Sequence, residues 1–196
     1  VPEIAVMTPP TPDGKVDDAS LVAADICGVK DIYKSGGAQG IAALAYGTET
    51  VPKVIKVIGP GNAFTSAAQR LLFGVNIGLP AGPSEALILA DEHANPRIVA
   101  LDFLNEAEHG PDSSSVLVTH SQALIDKVVA ILPELINDLP EQRQEFCKTV
   151  LSGYGGIVLT SSLNESVAFA NEYAPEHMEL LVENPEEVLK GIVLSL

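Results

Sequence analysis

Short apolar segments alternate along this chain with longer segments whose apolar positions recur at helical spacing. Residues 86–90 (ALILA) form an unbroken apolar run, which is typical of a strand that is covered on both faces. The pattern predicts further strands at residues 4–7, 31–34, 54–58, 116–119, 157–160 and 177–182, and helices at 18–27, 38–46, 62–73, 96–109, 122–137, 141–152, 164–173 and 185–192. This alternation predicts an α/β fold in which parallel sheets are flanked by helices on both faces.

A segment rich in proline and glycine, PAGPSE at residues 80–85, separates two series of such elements. We therefore expect two similar Rossmann-like units with mainly parallel sheets, residues 1–83 and 84–196. The sequence stops at Leu196 inside another apolar run, VLSL. Because a strand without its neighbour leaves an open sheet edge, we expect the second unit to be incomplete.

The balance of charges narrows the classes of partner. The 196 residues carry a formal net charge of −15, which argues against nucleic acid, because phosphates need neutralising lysines and arginines. No apolar run reaches the roughly 20 residues of a membrane span, and no basic segment precedes a hydrophobic run as in a signal peptide. Cys27 and Cys147 are far apart in the sequence, so we expect two buried thiols in a reducing compartment.

Residues 95–112 (NPRIVALDFLNEAEHGPD) combine a helix with candidate metal ligands. Asn95-Pro96 is a typical helix start, and Gly110-Pro111 is a typical stop. Glu106 and His109 are three residues apart, which on a helix puts both side chains on one face. A carboxylate and an imidazole are zinc ligands. Two solvated polar residues explain the same spacing more often, so context must decide between the two interpretations.

Two glycine-rich turns each join a predicted strand to a predicted helix. They are Gly36-Gly37-Ala38-Gln39 and Gly59-Pro60-Gly61-Asn62. Glycine lets the backbone approach a ligand, and a helix N-terminus offers free N–H groups that can hold even a pyrophosphate in an acidic protein. We expect both turns at one edge of a parallel sheet, where α/β proteins bind ligands. The alternative interpretation is that each turn is only a tight connection whose glycines adopt positive φ, without a ligand.

A second acid–base pair lies at Pro175-Glu176-His177, between a predicted helix and a predicted strand. A carboxylate beside an imidazole suits proton transfer, and an exposed helix-ending turn is the alternative interpretation. Ser84 lies in a Gly-Pro-Ser turn, where its hydroxyl can simply cap the backbone. His93 and His120 follow strands, and we expect both to be ordinary surface residues.

Five motifs occur in the order and at the spacing of one enzyme family. They are GGAQGIAALAYGTETVPKV, VIGPGNAF, LPAGPSEALILAD, EAEHGPDS and YAPEHMEL. In these motifs the chain resembles histidinol dehydrogenase, from residue 4 to about residue 191. The resemblance covers the middle of a family sequence that is more than twice as long.

The resemblance implies an enzyme that oxidises L-histidinol to L-histidine through histidinaldehyde, with two NAD molecules, in the last step of histidine biosynthesis. It also implies a zinc-dependent homodimer in the cytoplasm, or in an organelle of a plant, whose NAD-binding unit is residues 1–83. In the family, zinc holds the substrate's imidazole and amine, a histidine takes the alcohol proton, and a glutamate activates water. Matching positions assign Gln39 and Asn62 to NAD, Ser84, Glu106, His109 and His177 to substrate, Glu106 and His109 to zinc, and Glu176 and His177 to catalysis.

Three positions depart from the family pattern. Glu106 stands where glutamine is usual, Gln69 where lysine is usual, and Gly78 where aspartate is usual. The family's other two zinc ligands, an aspartate and a histidine, would lie beyond Leu196. With half of the ligands, we expect this chain alone to bind zinc weakly and to be inactive. Two alternatives stay open: a related dehydrogenase of another amino or sulfonated alcohol, and a non-catalytic degenerate copy.

Overall fold

The structure is a computed structural model that describes residues 3–78 and 82–193. The chain divides into two compact units, Val1–Gly82 and Pro83–Leu196. Helices alternate with parallel strands in both units, as the apolar pattern predicts. No helix in the described ranges is long and apolar enough to cross a membrane.

The second unit is built on a parallel sheet that has four strands in the described residues, in the order β7-β6-β5-β8. Its central strand β5 is buried from Ala86 to Ala90, because it has a strand on each side and helices on both faces. The elements, in chain order, are β5 (Glu85–Ala90), α4 (Pro96–Ala107), β6 (Ser114–Thr119), α5 (Gln122–Asn137), α6 (Glu141–Leu151), β7 (Gly156–Leu159), α7 (Leu163–Tyr173), β8 (His177–Leu181) and α8 (Pro185–Leu189).

Two apolar clusters fill the space above and below this sheet. One joins Ile88 and Leu117 of the sheet to α4, α5 and α6, and includes the fully buried ring of Phe103. The other joins Leu87 and Val118 to α7 and α8. Full burial of a large apolar side chain contributes about 1.5–3 kcal/mol, so both clusters stabilise the unit. Each cluster covers one face of the sheet.

The same two layers determine the direction of side chains along β8. Leu181 packs against the α4–α5–α6 cluster, whereas Met178 and Leu180 pack against the opposite one. Because side chains alternate along a strand, His177 and Glu179 lie on the α4 side of the sheet.

The first unit contains shorter strands. In chain order its elements are β1 (Ala5–Thr8), α1 (Asp18–Ile26), β2 (Asp31–Lys34), α2 (Gly37–Tyr46), β3 (Lys56–Val57), α3 (Ala63–Leu71) and β4 (Asn76–Ile77). The Asp17 carboxylate caps α1 by accepting the N–H of Ser20 at 2.9 Å. Within the described ranges, β1 pairs with β2 and β3 pairs with β4, as two separate parallel sheets.

This pairing corrects the expectation that both glycine-rich turns lie at one edge of a single sheet. The strand predicted at residues 54–58 shrinks to two residues, because the N–H of Val54 bonds to the carbonyl of Leu44, at the end of α2, at 2.9 Å. Pro60 removes a further ladder donor beyond it. The expectation for Cys27 is also wrong: its thiol follows α1 and is exposed, while Cys147 is buried.

Candidate active site

The carboxyl end of α4 carries the predicted metal ligands. The Asn95 side chain caps the start of this helix by accepting the N–H of Arg97 at 2.9 Å, with Pro96 in the first turn. The helix ends at Ala107, so His109 lies in the turn beyond it rather than within the helix as predicted. The N–H of His109 donates to the carbonyl of Glu106 at 3.2 Å. This bond keeps the two residues on the same side of the helix end.

The hydrogen bond of the His109 ring determines which nitrogen can bind a metal. Its Nδ1 lies 2.7 Å from the carbonyl oxygen of Asn105. A carbonyl can only accept, so Nδ1 donates in this bond, and in the neutral ring Nε2 is then the nitrogen with the lone pair. Zinc-binding histidines are commonly oriented in this way. Glu106 is 7% exposed, and its carboxylate lies 4.0 Å from Nδ1, the nitrogen that faces the Asn105 carbonyl. A carboxylate and the other ring nitrogen, Nε2, are both ligand types that zinc accepts.

Arg143 of α6 supports this turn and was not identified from the sequence. Its guanidinium donates hydrogen bonds to the carbonyl oxygens of Glu108 and His109, the latter at 3.4 Å. These carbonyls lie past the last helical turn, where intrahelical donors are lacking. Arg143 therefore supplies the hydrogen-bond donors that the carbonyls at the end of α4 lack, beside the candidate ligands. It lies 34 residues after His109 in the sequence.

The second predicted pair lies at the start of β8. His177 is its first residue and pairs with Ala86 of β5, and Glu176 immediately precedes it. The His177 Nε2 atom and a Glu176 carboxylate oxygen are 3.9 Å apart. Their side chains are 61% and 58% exposed, so both groups are accessible to a small molecule.

A group of carboxylates links the end of α4 to β8. Glu179 lies on the same face of β8 as His177 and forms a hydrogen bond with Asp102 of α4. The pKa of Glu179 is raised, first by partial loss of solvent, then by the charge of Asp102 and this bond, and further by the charge of Glu106. The structure thus brings the α4 ligand pair and the His177 face of β8 to the same side of the sheet.

Ser84 lies at the start of β5, near the amino end of the same sheet. Its carbonyl accepts the N–H of Ser114 at 2.9 Å, which joins it to β6. Ser84, Ser114 and His177 therefore lie at the amino ends of three neighbouring strands. This is the opposite edge from the carboxyl ends where α/β sheets usually bind ligands.

The predicted NAD residues lie in the first unit. Asn62 caps α3, with its side-chain oxygen accepting the N–H groups of Phe64 at 3.1 Å and Thr65 at 3.2 Å. Gln39 is an exposed residue of the first turn of α2, after Gly37, whose φ is +67°. A side chain on Gly37 would come within 3.0 Å of the Gln39 amide, so glycine keeps this turn open.

Two of the three departures from the family pattern, Gln69 and Gly78, lie in the first unit. Gln69 is buried in α3, at 5% exposure, where a lysine would place a charge out of water. Gly78 follows β4, and its N–H bonds to the carbonyl of Val57 at 3.2 Å.

The carboxyl edge of the second sheet contains Asp91, which the sequence did not single out, and the two histidines His93 and His120. The buried Asp91, directly after β5, accepts the N–H groups of His93 at 2.9 Å and Glu183 at 2.7 Å. His120 is not the ordinary surface residue that we expected. Its Nε2 lies 2.9 Å from Glu92, and its Nδ1 is buried without a hydrogen-bond partner in the part of the chain that the structure describes.

A complete metal centre is not found in the described residues. Among residues 3–78 and 82–193, no three histidine, cysteine, aspartate or glutamate side chains are arranged to hold a metal ion. Glu106 and His109 therefore supply two candidate ligands, and any further ligands come from elsewhere.

Comparisons with known proteins agree with these motifs. A sequence model of the histidinol dehydrogenase family matches residues 1–194. The chain is 58% identical over 187 residues to a histidinol dehydrogenase homolog of Rhizobium meliloti, covering 94% of this chain and 41% of that protein. It is 53% identical over 193 residues to the histidinol dehydrogenase of Synechocystis, covering 98% of this chain and 44% of that protein.

The fold comparison gives the same family. The crystal structure of histidinol dehydrogenase from Elizabethkingia anophelis superposes with a TM-score of 0.88 at 39% identity, covering 98% of this chain and 44% of that one. The chain thus spans less than half the length of these relatives. With the family model matched along nearly all of its residues, this chain belongs to the histidinol dehydrogenase family.

Proposed function

We propose that the protein containing this chain oxidises L-histidinol to L-histidine, through histidinaldehyde, with NAD as the hydride acceptor. The observation that carries the proposal is the placement of Glu106 and His109 on the same side of one sheet as His177. This arrangement puts two candidate zinc ligands and an exposed acid–base pair on one side of the sheet, which supports the proposal. We propose a homodimer in the cytoplasm as the working form, in line with the family.

The imidazole of His177 is suited to take the proton of the substrate hydroxyl while hydride leaves for NAD. The Glu176 carboxylate is suited to deprotonate water that attacks the aldehyde before the second hydride transfer. Both side chains are exposed, and His177 begins, while Glu176 precedes, a strand whose position is fixed by pairing with β5. A rigid strand supplies the orientation that proton transfer requires.

Glu106 and His109 are proposed to hold zinc, and the fit rests on the Nδ1–H bond of His109, which leaves Nε2 free. Bound zinc would hold the substrate's imidazole and amine in place. Ser84, at the amino edge of the sheet, is proposed to contact substrate, and Gln39 and Asn62 are proposed to contact NAD. Asn62 already caps α3 through its oxygen, so its NH₂ group is the part suited to a ligand.

The test is a chimera in which this chain replaces the matching 193-residue segment of the Synechocystis enzyme. We expect it to form two NADH per histidinol in the presence of zinc, and the Glu176→Gln variant to form about one, because the aldehyde step then fails. Asp126→Asn, in the exposed surface of α5, is the matched carboxylate control. A folded chimera that binds NAD but does not oxidise histidinol would reject the proposal.

One observation favours a second candidate, a dehydrogenase of another amino or sulfonated alcohol. The buried ligand position holds a carboxylate, Glu106, beside the Asp102–Glu179 pair, which changes the charge seen by the substrate. The same chimera, tested with a panel of amino and sulfonated alcohols, separates the two candidates. Turnover of another alcohol with none of histidinol would favour the second, and no turnover at all would favour a degenerate copy.

A further inference from the structure

We infer that the hydroxyl of Tyr173, acting through Ser114, positions the Glu176–His177 pair. This inference rests on the proposed function. It assigns a role to two residues that lie 59 positions apart in the sequence and meet at the amino edge of the second sheet.

The direction of the hydrogen bonds follows from the groups involved. The Ser114 hydroxyl lies 2.6 Å from the carbonyl oxygen of Tyr154 and 2.7 Å from the Tyr173 hydroxyl. A carbonyl only accepts, so Ser114 donates its single proton to Tyr154. Tyr173 must then donate to Ser114, which gives a directed chain of two short hydrogen bonds.

Ser114 connects both segments that carry predicted substrate and catalytic residues. It is the first residue of β6 and lies opposite Glu85. Its N–H donates to the carbonyl of Ser84 at 2.9 Å, while its hydroxyl accepts from Tyr173. One serine therefore ties the Ser84 turn to the end of α7.

The backbone between Tyr173 and Glu176 has little freedom. Tyr173 ends α7, with its ring stacked on Phe169 at a centroid distance of 6.0 Å. Ala174 follows with a φ of +49°, the sole positive φ of a non-glycine residue in the described ranges, and its N–H bonds to Ala170 at 2.9 Å. Pro175 is fully buried, and its ring fixes φ. A displacement of Tyr173 is thus transmitted to Glu176 and His177.

The test uses Tyr173→Phe and Ser114→Ala in the chimera with the Synechocystis enzyme. Tyr173→Phe keeps the ring and its stacking and removes only the hydroxyl. In each variant we expect kcat for histidinol oxidation to fall about tenfold, because a misplaced acid–base pair slows proton transfer. The KM for NAD should stay within about twofold, since the first unit is unchanged.

Ser166→Ala is the matched control. Ser166 is buried in the same helix, and its hydroxyl lies 2.6 Å from the Thr160 hydroxyl. Its loss therefore also removes a part-buried hydrogen bond between two hydroxyls. Thr160 follows the carboxyl end of β7, so this pair lies at the other edge of the sheet. We expect kcat of Ser166→Ala to equal that of the parent. Equal kcat values for Tyr173→Phe and Ser166→Ala would overturn the inference.

A second measurement separates this inference from the proposed function. In the chimera, NMR with histidine signals assigned by single substitutions can follow the imidazoles of His177 and His120 during a pH titration. In Tyr173→Phe, the His177 signals should shift or broaden, while those of His120 stay unchanged. If the parent chimera does not oxidise histidinol but His177 responds in this way, the proposed function fails and the positioning role stands. Unchanged His177 signals would contradict the positioning role in either case.

Discussion

Glu106 shows how a single residue sets the charge of the candidate site. Its carboxylate is buried on α4, one helical turn from Asp102 and close enough to Glu179 to raise the pKa of that group. The resemblance to histidinol dehydrogenase implies a neutral glutamine at this position in the family. The site of this chain therefore carries an additional negative charge that a neutral amide would remove.

We predict that Glu106→Gln keeps or increases histidinol oxidation by the chimera. The amide oxygen can still bind zinc, and the like charges of Asp102 and Glu179 lose one repelling neighbour. Steady-state NADH formation with and without added zinc measures the effect. A collapse of activity at saturating zinc would mean that the Glu106 carboxylate serves a different substrate.

Glu179 gives a prediction about the pH dependence of stability. Its pKa is raised in the folded protein, so folding favours the protonated carboxyl. That contribution is complete below pH 4.5, its ordinary pKa, and is lost as pH rises through the higher pKa of the folded state. Glu179→Gln should therefore raise the melting temperature at pH 7 by about 2 °C, a modest gain because the side chain is exposed.

The control for this prediction is the same comparison at low pH. The difference between Glu179→Gln and the parent should shrink toward zero as pH falls to about 4, since the parent carboxyl is then protonated. Melting curves recorded by circular dichroism across this range measure it. A gain that is constant with pH would show that the substitution acts through packing instead.

At the scale of elements, side-chain hydrogen bonds connect the ends of strands to neighbouring elements. Asp91, directly after β5, bonds through both carboxylate oxygens to the backbone of His93 and of Glu183, which follows β8. At the other edge, Ser114 and Tyr173 join β6 to α7. Each tie connects elements far apart in the sequence, so each contributes to the geometry of the sheet edges.

We predict that Asp91→Ala lowers the free energy of unfolding by about 3 to 6 kcal/mol. Two N–H groups lose their acceptor, and hydrogen bonds to a charged group contribute about 1.5–3 kcal/mol each. Asp91→Asn should cost about half as much, because its amide retains one accepting oxygen. Urea denaturation followed by circular dichroism gives both values, and a loss below about 0.5 kcal/mol for alanine would contradict this role.

At the scale of the whole molecule, the first unit exposes much apolar surface. Six large side chains among the described residues of this unit are at least 70% exposed: Ile26, Ile55, Ile58, Phe64, Leu71 and Phe73. Apolar surface of this extent is unusual on an isolated monomer. The chain also covers 44% of its Synechocystis relative, which is far longer. We therefore expect the isolated chain to associate with itself.

We predict that the isolated chain binds zinc weakly and produces no NADH from histidinol. The described residues offer Glu106 and His109 as ligands, whereas catalytic zinc sites have three protein ligands. Metal analysis of the purified chain after dialysis against zinc, with an NADH assay on the same sample, tests this. Stoichiometric zinc and measurable NADH formation would show that this chain contains a working site.

The sequence by itself determined the local features. Helix α5 begins and ends where the apolar spacing predicts, Asn95 caps α4 as predicted, and the ALILA run is the buried central strand. These features follow from periodicity, capping and burial, which depend on residues a few positions apart. The motifs also gave the family, because long ordered motifs are specific.

The tertiary structure decided which distant residues meet. The sequence did not show that β3 and β2 belong to separate sheets, that Asp91 reaches Glu183, or that Tyr173 meets Ser114. The two polar contacts join residues 59 and 92 positions apart, and they depend, like strand pairing, on how the helices pack on the sheet. Local patterns of polarity do not contain that information, since many pairings would bury the same apolar faces.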